Sequence, residues 1–156
     1  LFNLTVSERI RRGLPLNRPL VGDVVLPVDR QGLPDHDHGV PVTSKNLDLV
    51  ERQVRNGRAY IGGVLFGSES VLSEGTMGEI ERLIIEREGL EAKDFMVPQL
   101  HQCSSKGSWR EILGRVKDLR YEAAEDSVRF SFELNKGCYA TSLLREFMKK
   151  GELMDY

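Results

Sequence analysis

The sequence is poor in cysteine and has no excess of charge of either sign. Its 156 residues include two cysteines, Cys103 and Cys138, whose spacing is not that of metal ligands, so we expect reduced thiols in a cytoplasmic protein. No apolar run approaches the length of a transmembrane helix. The 22 Lys and Arg against 24 Asp and Glu give a formal net charge of −2, so any surface that binds a polyanion must be local.

Familiar motifs of nucleotide binding and hydrolysis are missing as well. Residues 62–67 are glycine-rich but lack the lysine of GxxxxGK[ST], and no GxGxxG follows a predicted strand. No Ser-His-Asp or Cys-His arrangement has supporting motif context, which disfavours a hydrolase. Residues 35–39 (DHDHG) carry the ligand types of divalent ions, but the only other histidine is His101. We therefore interpret residues 35–39 as a polar loop tip.

What is present predicts helices mixed with strands. Hydrophobic periodicity and capping residues predict helices at 1–12, 47–56 and 76–88, the second capped by Ser44 or Asn46. Strands are expected at 24–28, 59–66 and 111–116, followed by a hairpin of 119–123 with 128–134. The Gly62-Gly63 pair predicts a bulge or a close approach of two backbones. A 40% hydrophobic chain of this length can bury a core in one domain or two small lobes.

Charge is distributed unevenly along the chain. Residues 69–95 hold eight acidic and three basic side chains and should face away from a polyanion. Residues 101–120 hold five basic and two acidic side chains, with a flexible basic loop at 104–110. A solvated hinge and an RNA contact explain this loop equally well. The arginines near the end of the first helix are interpreted mainly as a solvated helix end, with RNA contact as the alternative.

The most informative stretch is residues 128–149. A strand with alternating apolar residues leads through a glycine turn into a helix whose apolar stripe should face a core: Ala140, Leu143, Leu144 and Phe147. Tyr139 and Arg145 lie off that stripe, near free backbone N–H groups. Such a unit can hold an anion and a planar ring. From spacing alone the more common explanation is a plain structural unit in which Tyr139 is a buried ring and Arg145 forms a salt bridge.

This stretch resembles the C-terminal signature of the tRNA pseudouridine synthase D (TruD) family, a strand followed by Gly-Ser-Tyr-Ala-Thr-Ser-x-Leu-Arg-Glu. Here the run from residue 137 reads GCYATSLLRE, with Cys138 in place of the usual serine. Residues 1–9 resemble a helix of the same family, and residues 63–81 resemble its insertion domain. Residues 105–110 (SKGSWR) resemble its Ser-Lys-Gly-x-Arg-Arg stretch, with Trp109 where a basic residue is common.

The resemblance implies an α+β fold built from parts of two domains. Residues 1–14 would be a partial helix of the catalytic domain, and residues 15–102 the TRUD insertion domain. Residues 103–156 would be the C-terminal part of the catalytic domain, an antiparallel strand–hairpin–helix portion of its sheet. The first residue is Leu1, inside a predicted helix, so we expect a piece of a longer polypeptide.

The resemblance also implies a function, the isomerisation of a specific uridine in tRNA to pseudouridine. The family's nucleophilic aspartate lies in a Gly-x-Lys-Asp-Lys motif that is absent here, because neither Lys93-Asp94 nor Lys117-Asp118 has its flanking residues. We therefore expect the N-terminal part of the same polypeptide as a partner, and an isolated chain without activity. No metal or organic cofactor is implied. The alternative is a non-catalytic RNA-binding or structural module that uses the same elements.

Site residues follow from the same resemblance and from local charge. Tyr139 is expected to stack on the flipped uracil, and Arg145 to hold the absent aspartate. Candidate RNA contacts are the basic or polar residues near the glycine turn, the basic loop and the first helix: Lys106, Arg110, Lys136, Thr141, Arg9 and Arg12.

Overall fold

A computed structural model describes residues 1–135 and 137–148. The chain divides into two compact units, residues 1–113 and residues 114–156. This division differs from the boundaries after residues 14 and 102 that the family resemblance implies, and the assignment of those segments to domains stays a prediction. No helix in the described part of the chain has the length and apolar content needed to cross a membrane.

The first unit combines helices with one antiparallel sheet. In chain order its elements are α1 (Phe2–Arg11), β1 (Val24–Pro27), β2 (Val40–Pro41), α2 (Leu47–Arg55), β3 (Ala59–Leu65), α3 (Gly75–Arg87), two short 3₁₀ turns (Ala92–Phe95 and His101–Cys103) and β4 (Ser108–Glu111). The strand order is β2-β1-β3-β4, so β1 and β3 are the two inner strands. The helices at 2–11, 47–55 and 75–87 confirm the three that periodicity predicts.

The core of this unit lies on the sheet. Val25 and Ile61 pack with Val42, Val50 and Ala59 beneath α2. Their neighbours on β1 and β3 point to the opposite face, where Val24, Leu26 and Tyr60 form a second cluster with Val28 and Trp109. The side chains of α3 that are buried include Met77, Ile80 and Ile84, whereas Leu83, which we predicted on the same stripe, is 44% exposed.

The glycine pair of β3 allows a close approach and forms no bulge. β3 keeps a regular register with both neighbours, and Gly62 lies opposite Val24 on one side and Glu111 on the other. A Cβ on Gly63 would come 3.0 Å from the Phe2 ring and 3.0 Å from Cγ2 of Ile112. The absence of a side chain therefore lets α1 pack directly on β3.

A buried ion pair ties α1 to the rest of the unit. Arg9 is fully buried, and its Nη1 and Nη2 donate to the two carboxylate oxygens of Asp23 over 2.6 and 2.8 Å. Its Nε donates to the Pro15 carbonyl over 2.9 Å. The two guanidinium–carboxylate hydrogen bonds make a bidentate ion pair. Asp23 also accepts a 2.8 Å hydrogen bond from the Leu20 N–H.

A second buried carboxylate belongs to α3. The two oxygens of Glu81 accept hydrogen bonds from the Ser73 N–H (2.7 Å) and hydroxyl (3.0 Å). Burial is the largest influence and raises the pKa of Glu81, and the charge of Asp23 acts in the same direction. Neither this carboxylate nor the Arg9–Asp23 pair was predicted from the sequence.

Two local predictions are wrong. The strand expected at 111–116 does not form, because β4 spans Ser108–Glu111 and the next strand begins only at Val116, although the Ile112 N–H still donates to the Ile61 carbonyl of β3. Asn46 does precede α2, but its side chain does not cap the helix. Instead it accepts a hydrogen bond from the Thr43 N–H and donates one to the Pro41 carbonyl.

The second unit is a hairpin followed by a helix. Its elements are β5 (Val116–Ala123), β6 (Val128–Leu134) and α4 (Ala140–Met148). The Ala124 N–H donates to the Ser127 carbonyl and closes the predicted turn. The pairing is irregular between Lys117 and Arg120, where Asp118 has a φ of 50°. This hairpin and helix confirm the predicted strand–turn–helix order.

The apolar stripe of α4 is only partly covered. The rings of Phe130 and Phe147 lie 4.6 Å apart between centroids, so α4 contacts the apolar face of β6. Leu143 and Leu144 are half-buried, but Ala140 and Phe147 are exposed. Among the described residues of this unit, none is buried. The stripe predicted to face a core therefore has one aromatic contact and no enclosed core here.

Candidate RNA-modification site

Tyr139 lies exposed at the start of α4. Gly137 adopts a left-handed φ of 92°, which a glycine tolerates, and turns the chain from β6 toward the helix. The Tyr139 carbonyl then accepts hydrogen bonds from the N–H groups of Ser142 and Leu143. Tyr139 is 65% exposed in this unit, in which no described residue is buried, so the choice between a ligand-facing ring and a structural one stays a prediction. The Tyr139 ring therefore lies at the surface of this unit, beside the N-terminus of α4.

Arg145 lies further along the same helix. Arg145 is half-buried, as are Leu143 and Leu144 of the apolar stripe. Thr141, in the first turn of α4, is exposed. A rise of 1.5 Å per residue separates Arg145 from Tyr139 by about 9 Å along the axis, a distance that a long arginine side chain can span in part. Lys136, the other candidate near the turn, lies outside the described residues.

The loop that carries Lys106 is hydrogen-bonded to residues 68 and 69, a contact that the sequence did not predict. The Ser68 N–H donates to the Ser105 carbonyl over 2.8 Å, and the Glu69 N–H to the Lys106 carbonyl over 2.9 Å. The Lys106 ammonium lies 3.3 Å from the carboxylate of Glu69, and both side chains are mostly exposed. The basic loop therefore presents its lysine from a defined backbone.

Arg110 is placed by β4 and by an aromatic ring. It lies opposite Gly63 in the β3–β4 ladder, and its guanidinium carbon is 5.3 Å from the centroid of the Phe2 ring. A guanidinium at this distance from a ring face is attracted by the ring quadrupole. The small Gly63 leaves room for Phe2, so the glycine of β3 indirectly positions Arg110.

The arginines of α1 require a correction. Arg9 is fully buried and paired with Asp23, so its assignment to RNA contact is wrong. Arg12 Nε donates to Glu8 over 3.0 Å, and Arg11 pairs with the other oxygen of the same carboxylate. The hydrogen bond from Arg12 is the main cause that lowers the pKa of Glu8. The predicted basic cluster therefore contains two partly exposed arginines that share one glutamate.

The histidine-bearing loop is tied to β4. His36 Nε2 lies 2.8 Å from a carboxylate oxygen of the buried Glu111, and the Trp109 N–H donates to the His36 carbonyl. His38 Nδ1 lies 3.0 Å from Asp35. The Asp37 N–H is the largest cause that lowers the pKa of Asp35. The sequence could not indicate the His36–Glu111 pair, because 75 residues separate its members.

Comparisons with known proteins extend over almost the whole chain. The family model described as tRNA pseudouridine synthase D (TruD) matches residues 1–147. The protein named "Probable tRNA pseudouridine synthase D" of Thermococcus sibiricus is 41% identical over 149 residues, and that of Methanococcoides burtonii is 41% identical over 156 residues. Each alignment covers 96% of this chain and 35% of the relative, so the chain spans about a third of the length of these relatives.

A solved structure gives the same result for the fold. The crystal structure named "Putative tRNA pseudouridine synthase D (TruD)" from Methanosarcina mazei matches with a TM-score of 0.85 and 35% identity, over 96% of this chain and 36% of that one. The match confirms the predicted α+β class. Because the family model covers residues 1–147 and relatives share about two residues in five, the chain belongs to the tRNA pseudouridine synthase D (TruD) family.

Proposed function

We propose that this chain is part of an enzyme that isomerises uridine in tRNA to pseudouridine. The observation that carries the proposal is the family signature at residues 137–146, which lies at the turn into α4 with the Tyr139 ring exposed. The reaction breaks the C1′–N1 bond of the nucleotide and forms a C1′–C5 bond. C5 loses a proton and N1 gains one, so the isomerisation balances without an oxidant, a reductant or a second substrate.

In this proposal Tyr139 stacks on the uracil after the base has left its helical stack. An enzyme that acts on a base inside folded RNA must extrude it, and an aromatic face compensates part of the lost stacking. Stacking of a base on an aromatic side chain contributes about 1–3 kcal/mol. The 65% exposure of Tyr139 agrees with this role, because most of the residue's surface is accessible.

Arg145 is proposed to hold the nucleophilic aspartate supplied by the rest of the polypeptide. A guanidinium that donates to a carboxylate favours its ionised form, which is the form that attacks C1′. The division into a catalytic helix (1–14), an insertion domain (15–102) and a C-terminal catalytic part (103–156) belongs to the same proposal. With tRNA as its substrate, we place the enzyme in the cytoplasm.

Lys106, Arg110, Arg12 and Thr141 are proposed to contact the RNA backbone. Lys106 is exposed on a loop that is hydrogen-bonded to residues 68 and 69, and Arg110 is oriented by the Phe2 ring. Contacts to phosphate fix the register of a nucleic acid without reading its sequence. They should make binding fall steeply with salt concentration.

The test measures tritium released from tRNA labelled at C5 of uridine by the complete enzyme carrying this chain. Tyr139→Ala should lower turnover about 5- to 150-fold, as expected for the loss of 1–3 kcal/mol of stacking. Tyr139→Phe should stay close to wild type, because the ring face remains. Arg145→Ala should lower turnover at least tenfold, since a hydrogen bond between charged groups contributes about 1.5–3 kcal/mol.

Matched controls come from the hairpin of the same unit. Tyr121→Ala removes an exposed ring (73% exposed), and Arg129→Ala removes an exposed guanidinium (84% exposed). Both controls should leave turnover near wild type, and all variants should keep the wild-type melting temperature. If Tyr139→Ala and Arg145→Ala lose activity only in parallel with stability, they are structural residues. Turnover by the isolated 156-residue chain would show that the nucleophilic aspartate lies within this chain.

A further inference from the structure

The Lys106 loop is built with more constraint than a surface lysine requires. Beyond the last β3–β4 pair, Leu65 with Ser108, the two chains stay joined by the hydrogen bonds of Ser68 and Glu69 described above. The Gly67 N–H also donates to the Ser70 hydroxyl over 2.8 Å. Lys106 and Glu69 are thus held facing each other by the backbone on both sides.

Two glycines make this arrangement possible. A Cβ on Gly67 would overlap the Gly107 nitrogen and lie 2.5 Å from the Ser105 carbonyl oxygen. Gly107 has a left-handed φ of 88°, and a Cβ there would overlap the Ser70 hydroxyl and lie 2.9 Å from the Leu65 carbonyl oxygen. Contacts this close to backbone atoms leave no room for a side chain, so both positions require glycine.

The stability of the Lys106–Glu69 pair does not explain such a loop. The two side chains are 74% and 64% exposed, and ion pairs of this kind stabilise a protein very little. What the loop does provide is a lysine whose backbone is hydrogen-bonded to the facing segment and whose ammonium lies 3.3 Å from a carboxylate. A carboxylate and a phosphate diester present the same kind of anionic oxygen to an ammonium group.

We propose that Lys106 and Glu69 form an exchange site for one RNA phosphate. A backbone phosphate in the correct register takes the Lys106 ammonium from Glu69, and the released carboxylate repels phosphates that arrive out of register. Glu69 is therefore a positioning residue that weakens RNA binding in general and penalises incorrect placement. This inference rests on the proposed RNA substrate but not on the chemistry at Tyr139.

The test is a double-mutant cycle on tRNA binding by the complete enzyme, followed by fluorescence anisotropy across a range of salt concentrations. Glu69→Gln should tighten binding about two- to fivefold, as expected for an exposed ion pair that no longer competes. Lys106→Gln should weaken binding and reduce the slope of log K against log[salt] by about 0.7–0.9, the value for one phosphate contact. In the Lys106→Gln background, Glu69→Gln should lose most of its effect.

The chain offers a matched control in Lys93 and Glu91. They form an exposed pair at 2.7 Å, with both side chains 66% exposed, and the nearby Gly89 has open space where a Cβ would lie. Glu91→Gln removes the same charge and measures the general effect of lowering the negative charge of the protein. If Glu69→Gln changes affinity no more than Glu91→Gln, or acts equally with and without Lys106, the exchange site is refuted.

The outcomes separate this inference from the proposed function. Coupled effects on binding by a protein that forms no pseudouridine would refute the proposed function and leave the exchange site standing. Pseudouridine formation by a protein in which the effects of Glu69→Gln and Lys106→Gln are independent would refute the exchange site and leave the proposed function standing. A wild-type protein that binds no tRNA would refute both.

Discussion

Breaking the buried pair of Arg9 and Asp23 should destabilise the first unit strongly. In Asp23→Leu the Arg9 guanidinium stays fully buried but loses both of its carboxylate hydrogen bonds. Removing one partner of a buried pair costs about 3–5 kcal/mol, because the remaining charge is neither solvated nor neutralised. The Leu20 N–H also loses its acceptor. We therefore expect a loss at the upper end of that range.

The melting temperature of the chain gives the readout. A change of 1 kcal/mol shifts the melting temperature of a chain of this size by about 2–4 °C, so a loss of about 5 kcal/mol in Asp23→Leu should lower it by about 10–20 °C. The double variant Arg9→Met/Asp23→Leu should recover most of this loss, because an apolar pair of similar volume often replaces a buried ion pair at no cost. Arg55→Met removes an exposed ion pair on α2 with Glu51 and should shift the melting temperature by no more than about 2 °C.

The same variants decide whether Arg9 contacts RNA. The double variant should bind tRNA with the wild-type affinity and salt slope, since the buried guanidinium cannot reach a phosphate. If Arg9→Met instead leaves the melting temperature unchanged and reduces the salt slope of tRNA binding, Arg9 is an RNA contact. That result would refute the structural explanation of this residue.

Two further predictions concern a buried carboxylate and a glycine. Burial raises the pKa of Glu81 above its ordinary 4.5, so the folded state keeps a proton that the unfolded chain loses, and stability should fall as pH rises above 4.5. In Glu81→Gln this fall should be smaller, as measured by urea unfolding from pH 4.5 to neutrality. Gly107→Ala should lower the urea midpoint more than Gly32→Ala, because Gly32 has a left-handed φ but open space around it. Equal midpoints would show that the Gly107 contacts are relaxed at no cost.

Local periodicity predicted most of the secondary structure. The alternation along β6 is strong, and the observed strand has the predicted bounds, Val128–Leu134. The apolar spacing of α3 and the glycine after it located that helix to within one residue at each end. Both signals depend on near neighbours in the chain, which is why the sequence alone suffices for them.

Contacts between residues that are far apart in the chain could not be predicted from the sequence. Residues 108–111 contain no alternation, yet they form β4 because their backbone meets the free edge of β3. Arg9 and Arg12 look equivalent in sequence, but only Arg9 points toward Asp23, which lies beyond a turn with glycine and proline. An arginine that forms a buried ion pair and an arginine that contacts a ligand are the same residue type in the sequence. Burial distinguishes them, and burial depends on the tertiary structure.

At the candidate site, the sequence predicted which residues form the apolar face of α4 but not how far they are buried. The motif identified Tyr139, and its place off the apolar stripe agrees with its 65% exposure. The stripe itself predicted a buried face, yet Phe147 is 46% exposed although it contacts Phe130. Periodicity shows that a face is apolar and not which surface covers it. An apolar helix face with one aromatic contact supports the proposed division, in which residues 103–156 are one part of a larger catalytic domain. If so, Phe147→Ser should destabilise the complete enzyme more than it destabilises the isolated chain.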